Sequence, residues 1–342
     1  MVTRHFCTLF DRNYVFKAVV LHRSLLRHCP SFHLTAFCFD DEAKRVIDTL
    51  GLPHLSTVSL GELESFDAEL LSVKPDRNPV EYMWTATPSL PLYMLDALPK
   101  LEEITYLDAD LMFFSDPEPL FEQMGDASIL ITPHRFSAEL AHHAINGIYN
   151  VQFLTFRRDN RGLEALNWWH DRCIEWCYYR FEDGKLGDQK YLDDWPERFA
   201  GVHVSRDKGC GLAPWNITQH DVRETANGVY VDEDPLIFFH YHRVRLLEPG
   251  PFLWRPPGYY ISPENRRLVY DPYLEELAAS VKGVRERVPG FSAGLEAPPT
   301  RRERFQLAAG HLAAWFLVKT PWLMRYRHRR YRHAGEPSAK SA

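Results

Sequence analysis

The sequence predicts an α/β chain organised on a mostly parallel, Rossmann-type sheet with helices on both faces, and three observations carry that expectation. Apolar runs of strand length alternate with segments of helical spacing from the first residues onward. One of those runs, "TYLDADLMFFSD" (105–116), ends in two acids one residue apart, as ligand-bearing strand ends of open parallel sheets do. The composition, 45% hydrophobic and 25% charged over 342 residues, leaves room for a substantial core.

Each element has its own justification. "RHFCTLF" reads as a buried strand, and "VFKAVVLHRSLLRH" has helical spacing with Val19, Leu21, Leu25 and Leu26 near one face. "FHLTAFCFD" is a second strand running into an acidic turn, and "EAKRVIDTLGLP" a helix stopped by Gly51 and Pro53. Strand, helix, strand, helix implies right-handed crossovers between parallel strands. Pro88 to Leu98 reads as a helix, followed by the strand "EITYL", which delivers Asp108 to its carboxyl end. "ASILIT" (127–132) and "VQFLTF" (151–156) are further strands, the second leading into a long aromatic helix, "LEALNWWHDRCIEWCYYRF". A short strand "GVHV", a Trp-containing loop "LAPWNI" and the strand "PLIFFHYH" follow. After Pro249 the text turns dense in Pro and aromatics and reads as irregular. The expected division is a principal α/β body over 1–250, a Pro/aromatic-rich extension over 251–300 and an amphipathic basic tail over 301–342.

Charge and cysteine usage narrow the class. Residues 301–342 hold ten Lys/Arg against two Glu, while the rest holds 30 basic against 44 acidic residues. An acidic body argues against nucleic acid as a partner, and a basic tail suits an anionic surface. Six cysteines without a Cys-x-x-Cys pair, several in apolar runs, read as reduced buried thiols and favour a cytoplasmic setting. The N-terminus scatters charges through its apolar stretch and does not read as a signal peptide. No run reaches the roughly 18 to 20 apolar residues of a transmembrane helix.

Two carboxylates in an apolar segment need a reason. Residues i and i+2 of an extended segment face one side, so Asp108 and Asp110 can meet at a point while Ala109 faces away. Such a pair repels unless a cation sits nearby, and hard oxygen donors suit Mg2+ or Mn2+. A bare Asp-x-Asp reads first as a solvated turn; the apolar strand before it and "LMFF" after it favour the metal.

With "YLDADLMFFSDPEPLF" on the page, the sequence resembles the metal-dependent, retaining glycosyltransferases that include glycogenin and the bacterial lipopolysaccharide galactosyl- and glucosyltransferases. The resemblance recurs in order as spaced islands over residues 5 to 245. It implies the GT-A fold and makes Asp108, Asp110 and His240 of "LIFFHYHRVRLL" the metal ligands, with Ala109 beside the donor. "TLFDRNYVF" resembles the family's nucleotide-base loop, which assigns Asp11, Asn13 and Tyr14 to the base, with backbone from Thr8 to Phe10 nearby. The chemistry agrees, since an acid can accept a uracil imide N–H and an aromatic face can stack, although a helix cap by Asp11 or Asn13 would look the same. Asn150 matches the Asn beside the donor sugar, and Asp188 and Gln189 match an Asp-Gln pair at the sugar's reacting face, where an Asp is also a good cap. His242 stands as an alternative ligand or diphosphate contact, and a His after an apolar strand is also an ordinary rim residue.

Three departures stand out. The family's Gly after that Asn is here Gln152; its Gly and Lys-Pro-Trp clamp on the diphosphate is replaced by Arg243 and Arg245; and the helix before the Asp-x-Asp strand lacks an Arg. The resemblance implies hexosyl transfer from a nucleotide-diphosphate sugar, by analogy a UDP-sugar, with Mn2+ or Mg2+ as cofactor and retention of configuration. The tail, with its flanking Arg and Trp, reads as an interfacial helix on an anionic membrane surface, each near-surface charge adding about 1 kcal/mol; a helix docked on the domain is the other reading. A membrane-bound chain suits a lipid-linked or saccharide acceptor and a peripheral position on the cytoplasmic face. Competing readings are a sugar nucleotidyltransferase, disfavoured because "TLFDRNYVF" has no Gly, and an inactive membrane-associated scaffold of the same fold.

Overall fold

The computed structural model describes residues 2–248 and 258–319. In chain order the strands are β1 (Arg4–Phe10), β2 (Phe32–Cys38), β3 (Leu55–Ser59), β4 (Glu103–Leu107), β5 (Leu111–Phe113), β6 (Ile129–Pro133), β7 (Tyr149–Arg157) and β8 (Val202–Val204), then β9 (Val222–Thr225), β10 (Gly228–Val231), β11 (Asp234–Pro235), β12 (Phe238–His240), β13 (Leu246–Leu247) and β14 (Leu295–Glu296). A seven-stranded sheet runs β3-β2-β1-β4-β7-β6-β8. Its strands are parallel except β7, which pairs antiparallel with both neighbours. The fold is thus the expected α/β type with a mostly parallel sheet.

The first half follows its sequence closely, because each boundary has a local cause. The helix Val15–His28 buries Val15, Phe16, Val19, Val20, Leu21 and Leu25. Asp40 caps the next helix, Asp41–Leu50, by accepting the Ala43 N–H, and Gly51 ends it. Two apolar layers flank the sheet. On one side the helix Val15–His28 and the helix Asp271–Arg287 share a cluster with Tyr241 and Tyr273; on the other, Leu90, Met94, Phe156, Trp169 and Trp195 pack together. All six cysteines are buried and unpaired.

Three readings change. The aromatic helix spans Asn160–Glu175 and stops before Trp176; Tyr178 beyond it lies under the guanidiniums of Arg77 and Arg180 instead of continuing a helical face. The strand in "PLIFFHYH" contracts to β12, three residues long. The stretch after Pro249 is not irregular throughout: within its described part, residues 263–270 are helical and lead into the 17-residue helix Asp271–Arg287. Leu277 and Val284 of that helix are buried, the Ser280 hydroxyl donates to Phe16 O, and the Tyr273 ring stacks on Tyr241 at 3.5 Å. Residues 258–296 therefore share the body's core, which dense apolar burial dictates whatever the Pro content upstream. Of the tail, Arg301–Lys319 is a helix, and 320–342 lie outside the described residues.

Candidate active site

The acidic pair sits where β4 leaves the main sheet. The Asp108 N–H still donates to Gln152 O of β7 at 3.0 Å, which extends the β4–β7 ladder by one bond. Ala109 and Asp110 then turn the chain, and β5 pairs antiparallel with β12, placing Leu111 opposite His240. The Tyr241 N–H donates to Asp110 O at 3.0 Å. The two carboxylates thus converge across a turn, not by alternation along one extended strand, because the chain must change sheets at this point. Ala109 is buried in the core, facing away as expected.

This pairing brings a distant imidazole to the acids. His240 Nε2 lies 3.1 Å from Asp110 Oδ1 and 3.8 Å from Asp108 Oδ2, and the three donor atoms all fall within 4.8 Å of one another. His240 Nδ1 lies 2.7 Å from Gln152 Oε1, an acceptor that fixes the proton on Nδ1 and leaves Nε2 free to ligate. The Tyr106 hydroxyl donates to Asp108 Oδ1 at 2.9 Å. Burial pushes the Asp108 carboxyl up to about 6, with the Asp110 charge adding to the rise and His240 opposing it. Burial acts on Asp110 in the same sense, but His240 and then Lys17 overcome it and hold that carboxyl well below the usual range. Burial works against protonated His240, while Asp110 and Asp108 lift its pKa above the ordinary value. Crowded, buried carboxylates with an oriented imidazole nitrogen fit a divalent cation, as the hard oxygen and borderline nitrogen donor set suggests. A second grouping, Glu69, His170 and Asp171, lacks this build: its acids are exposed, and His170 Nε2 is taken up by Asp67 at 2.8 Å.

Around this Asp108, Asp110 and His240 group the other predicted residues divide. Asn150 is buried; it donates to His134 Nε2 at 2.9 Å and accepts the Gln152 N–H at 2.8 Å. Asp188 is buried and is not a helix cap: its side chain makes no cap hydrogen bond, and Oδ2 has no partner among the described residues. Burial, with the Asp108 charge second, raises its carboxyl to about 7. Gln189 donates to Asn146 O at 3.1 Å. The buried Thr8 hydroxyl is likewise unpartnered, and Phe10 belongs to the core. Asp11 caps the short helix Arg12–Tyr14, accepting both the backbone N–H and the side-chain amide of Asn13. His242 packs edge-on to Trp215, and burial beside His240 lowers it to about 3, so it is a neutral ring.

Asn13, Tyr14, Arg243 and Arg245 line one cavity of about 380 Å³ together with the segment Gly294–Glu296. Arg245 is committed to Glu296, at 2.7 Å through Nε, whereas Arg243 is exposed and holds a left-handed backbone at φ 61°, a conformation that favours Gly. Gly294 permits this closure: at φ +79°, a Cβ there would lie 2.1 Å from Asn13 O. The sequence reading missed two residues. Gln152 appeared only as a departure, although a fully buried amide in a strand beside Asn150 demands partners. Lys17, 5% exposed on the helix Val15–His28, was hidden as one cation in an apolar run.

Residues 5–134 match the model of glycosyl transferase family 8. The chain is 33% identical over 300 residues to the uncharacterised protein YfnD of Bacillus subtilis strain 168, covering 86% of this chain and 95% of that one. This chain belongs to glycosyl transferase family 8. YfnF of the same organism is 33% identical over 254 residues, covering 72% of this chain and 83% of its own length. Among solved structures, galactosyltransferase LgtC in complex with donor and acceptor sugar analogues superposes over 89% of this chain and all of its own with a TM-score of 0.54, at 14% identity, a likeness of fold. The GT-A expectation agrees with that likeness, and as a family 8 member the chain is a glycosyltransferase, an enzyme of sugar transfer.

The ligand set predicts a metal site governed by pH. Protons compete with the cation both for Asp108, pushed up to about 6, and for His240, raised above its ordinary value, so Mn2+ affinity measured by paramagnetic resonance will weaken steadily as the pH falls from the neutral range through about 6. Gln152→Leu, which removes the acceptor at His240 Nδ1, will weaken Mn2+ binding about 10- to 100-fold at neutral pH. Unchanged affinity in that variant would show that the Gln152 hydrogen bond does not orient the ligand.

Proposed function

We propose that this glycosyltransferase moves a hexosyl group from a nucleotide-diphosphate sugar, read as a UDP-sugar, to a hydroxyl of a saccharide or lipid-linked acceptor, with a divalent metal and retention of configuration. The convergence of Asp108, Asp110 and His240 within 4.8 Å is the observation that carries this reading. These three residues would hold Mn2+ or Mg2+, which when bound supplies a positive charge against the departing diphosphate. Asn13 and Tyr14 would meet the base from the cavity wall, with Asp11 fixing the Asn13 amide and Thr8 offering an unsatisfied hydroxyl nearby. Arg243, whose guanidinium makes no ion pair among the described residues whereas Arg245 pairs with Glu296, would face the diphosphate.

On the sugar side, the buried Asp188 carboxyl, poised near 7, would accept a hydrogen bond from the sugar or the acceptor hydroxyl when ionised. Gln189 and Asn150 would bracket the same face. An amide is a poor nucleophile, so attack from the face of the leaving group on an oxocarbenium-like centre is the more natural route to retention. The described part of the tail supports a peripheral membrane position, on the cytoplasmic side by the cysteine argument. Phe305, Leu312, Trp315 and Phe316 of the helix Arg301–Lys319 are exposed, as are Arg301, Arg302 and Arg304.

A panel of nucleotide-sugars incubated with acceptor saccharides, with Mn2+ present or chelated, tests the reaction. Release of free nucleotide is expected from a UDP-sugar, abolished by chelation and lowered roughly 100-fold or more by Asp110→Ala. Turnover indifferent to chelation or to that substitution would contradict the metal-dependent reading. Sedimentation with anionic lipid vesicles tests the tail: the full chain should pellet, and the chain ending at residue 300 should stay in the supernatant. Equal pelleting of both would contradict the interfacial helix.

A further inference from the structure

Lys17 is an anomaly on any purely structural account of its helix. It lies among Val15, Phe16, Ala18 and Val19, all in the core, and is itself 5% exposed. Burial drives its ammonium below the usual range, and Asp110, Glu296 and Asp11 only partly offset that loss. Among the described residues the ammonium makes no hydrogen bond and no ion pair; its one close partner is the face of Tyr14, with Nζ 3.9 Å from the ring centroid. The cation is nevertheless not sealed off, for it lines the cavity shared by Asn13, Tyr14, Arg243, Leu295 and Glu296. A buried ammonium without an ion pair is costly and persists where something anionic compensates it.

The cavity supplies the chemistry of that anion. Its lining brings Asn13 and Tyr14, the two residues assigned to the base, together with Lys17 and Arg243, and the Lys17 ammonium lies over the face of Tyr14. The chain lacks the Lys-Pro-Trp clamp after β12 and has no Arg in "TPSLPLYMLDAL". Arg245, which follows β12 instead, is neutralised by Glu296. After β12 only Arg243 is left to supply positive charge to a phosphate-bearing ligand, and among the described residues Lys17 adds a second cation on the same cavity without a hydrogen bond or ion pair.

We propose that Lys17 binds the phosphates of the nucleotide donor, supplying from the first helix the cation that the family supplies after the His-bearing strand. The proposal rests on the nucleotide-donor reading above. In this role Lys17 is a binding residue whose charge is compensated when a diphosphate occupies the cavity, while one face of Tyr14 holds its ammonium and the other is presented to the base.

Calorimetric titration of the full chain, with Mn2+ present, against UDP and against uridine separates the possibilities. Lys17→Met should lose at least about 30-fold in UDP affinity, keep uridine affinity within about twofold, and melt no lower than the unaltered chain, since an apolar side chain of similar length replaces a buried charge. Lys17→Arg should recover part of the UDP affinity and likewise keep uridine affinity within about twofold. Equal loss for UDP and uridine would overturn the proposal in favour of a packing role, and unchanged UDP affinity in Lys17→Met would overturn it outright. Failure of the unaltered chain to bind UDP at all would overturn the donor reading, and this inference with it.

Discussion

The site depends on one pairing, the antiparallel contact of β5 with β12. β5 is three residues long and follows a turn, and β12 returns from a distant part of the chain after a small meander of β9, β10 and β11. Their register, with Leu111 opposite His240, decides that the imidazole comes to the acids and does not slip by one residue, which would turn its side chain to the opposite face. Phe113 and Phe238, paired in the same register, bury their rings against each other at 5.5 Å and hold the short ladder by apolar contact. A Ser24 hydroxyl accepts the Phe113 N–H at 3.0 Å, tying the ladder to the first helix. Without this ladder, three ionisable groups would be buried with nothing to justify the cost.

Much of this was legible in advance, and for a physical reason. β1, the helix Val15–His28 and β4 fall on the predicted segments because local periodicity, caps and breakers agree there with tertiary burial. Asp108, Asp110 and His240 were found through a resemblance in motif order, and the structure brings them together. The turn at Ala109 was not legible, since strand alternation and a turn can both bring i and i+2 to one side. The antiparallel sense of β7 was equally hidden: an apolar run does not announce its direction. The helix Asp271–Arg287 was obscured by the Pro-rich text before it, although its own spacing of Tyr273, Leu277 and Val284 is helical.

The departures from the family pattern are where the physical accounting moves. Gln152 stands where a Gly is usual, and the structure makes room for it: Gly211 lies against it so closely that a Cβ would sit 2.7 Å from the Gln152 amide nitrogen. That amide then bridges two strands, its oxygen accepting from His240 of β12 and its nitrogen donating to Thr132 Oγ1 of β6 at 3.4 Å, so an enlarged side chain becomes the brace of the imidazole beside the acidic pair. Arg243, in a conformation suited to Gly, carries about 1 kcal/mol or more of backbone strain, of the kind that collects at binding sites. The ladder of β13 with β14 and the close seat of Gly294 on Asn13 bring the C-terminal third of the chain onto the base loop.

The most direct test is anomalous diffraction at the manganese edge from crystals grown with Mn2+ and UDP. A single strong peak is expected, bounded by the carboxylates of Asp108 and Asp110 and by His240 Nε2, with diphosphate oxygens completing its coordination. A peak elsewhere, or a manganese ion that leaves His240 unligated while nucleotide is bound, would contradict the account at its base.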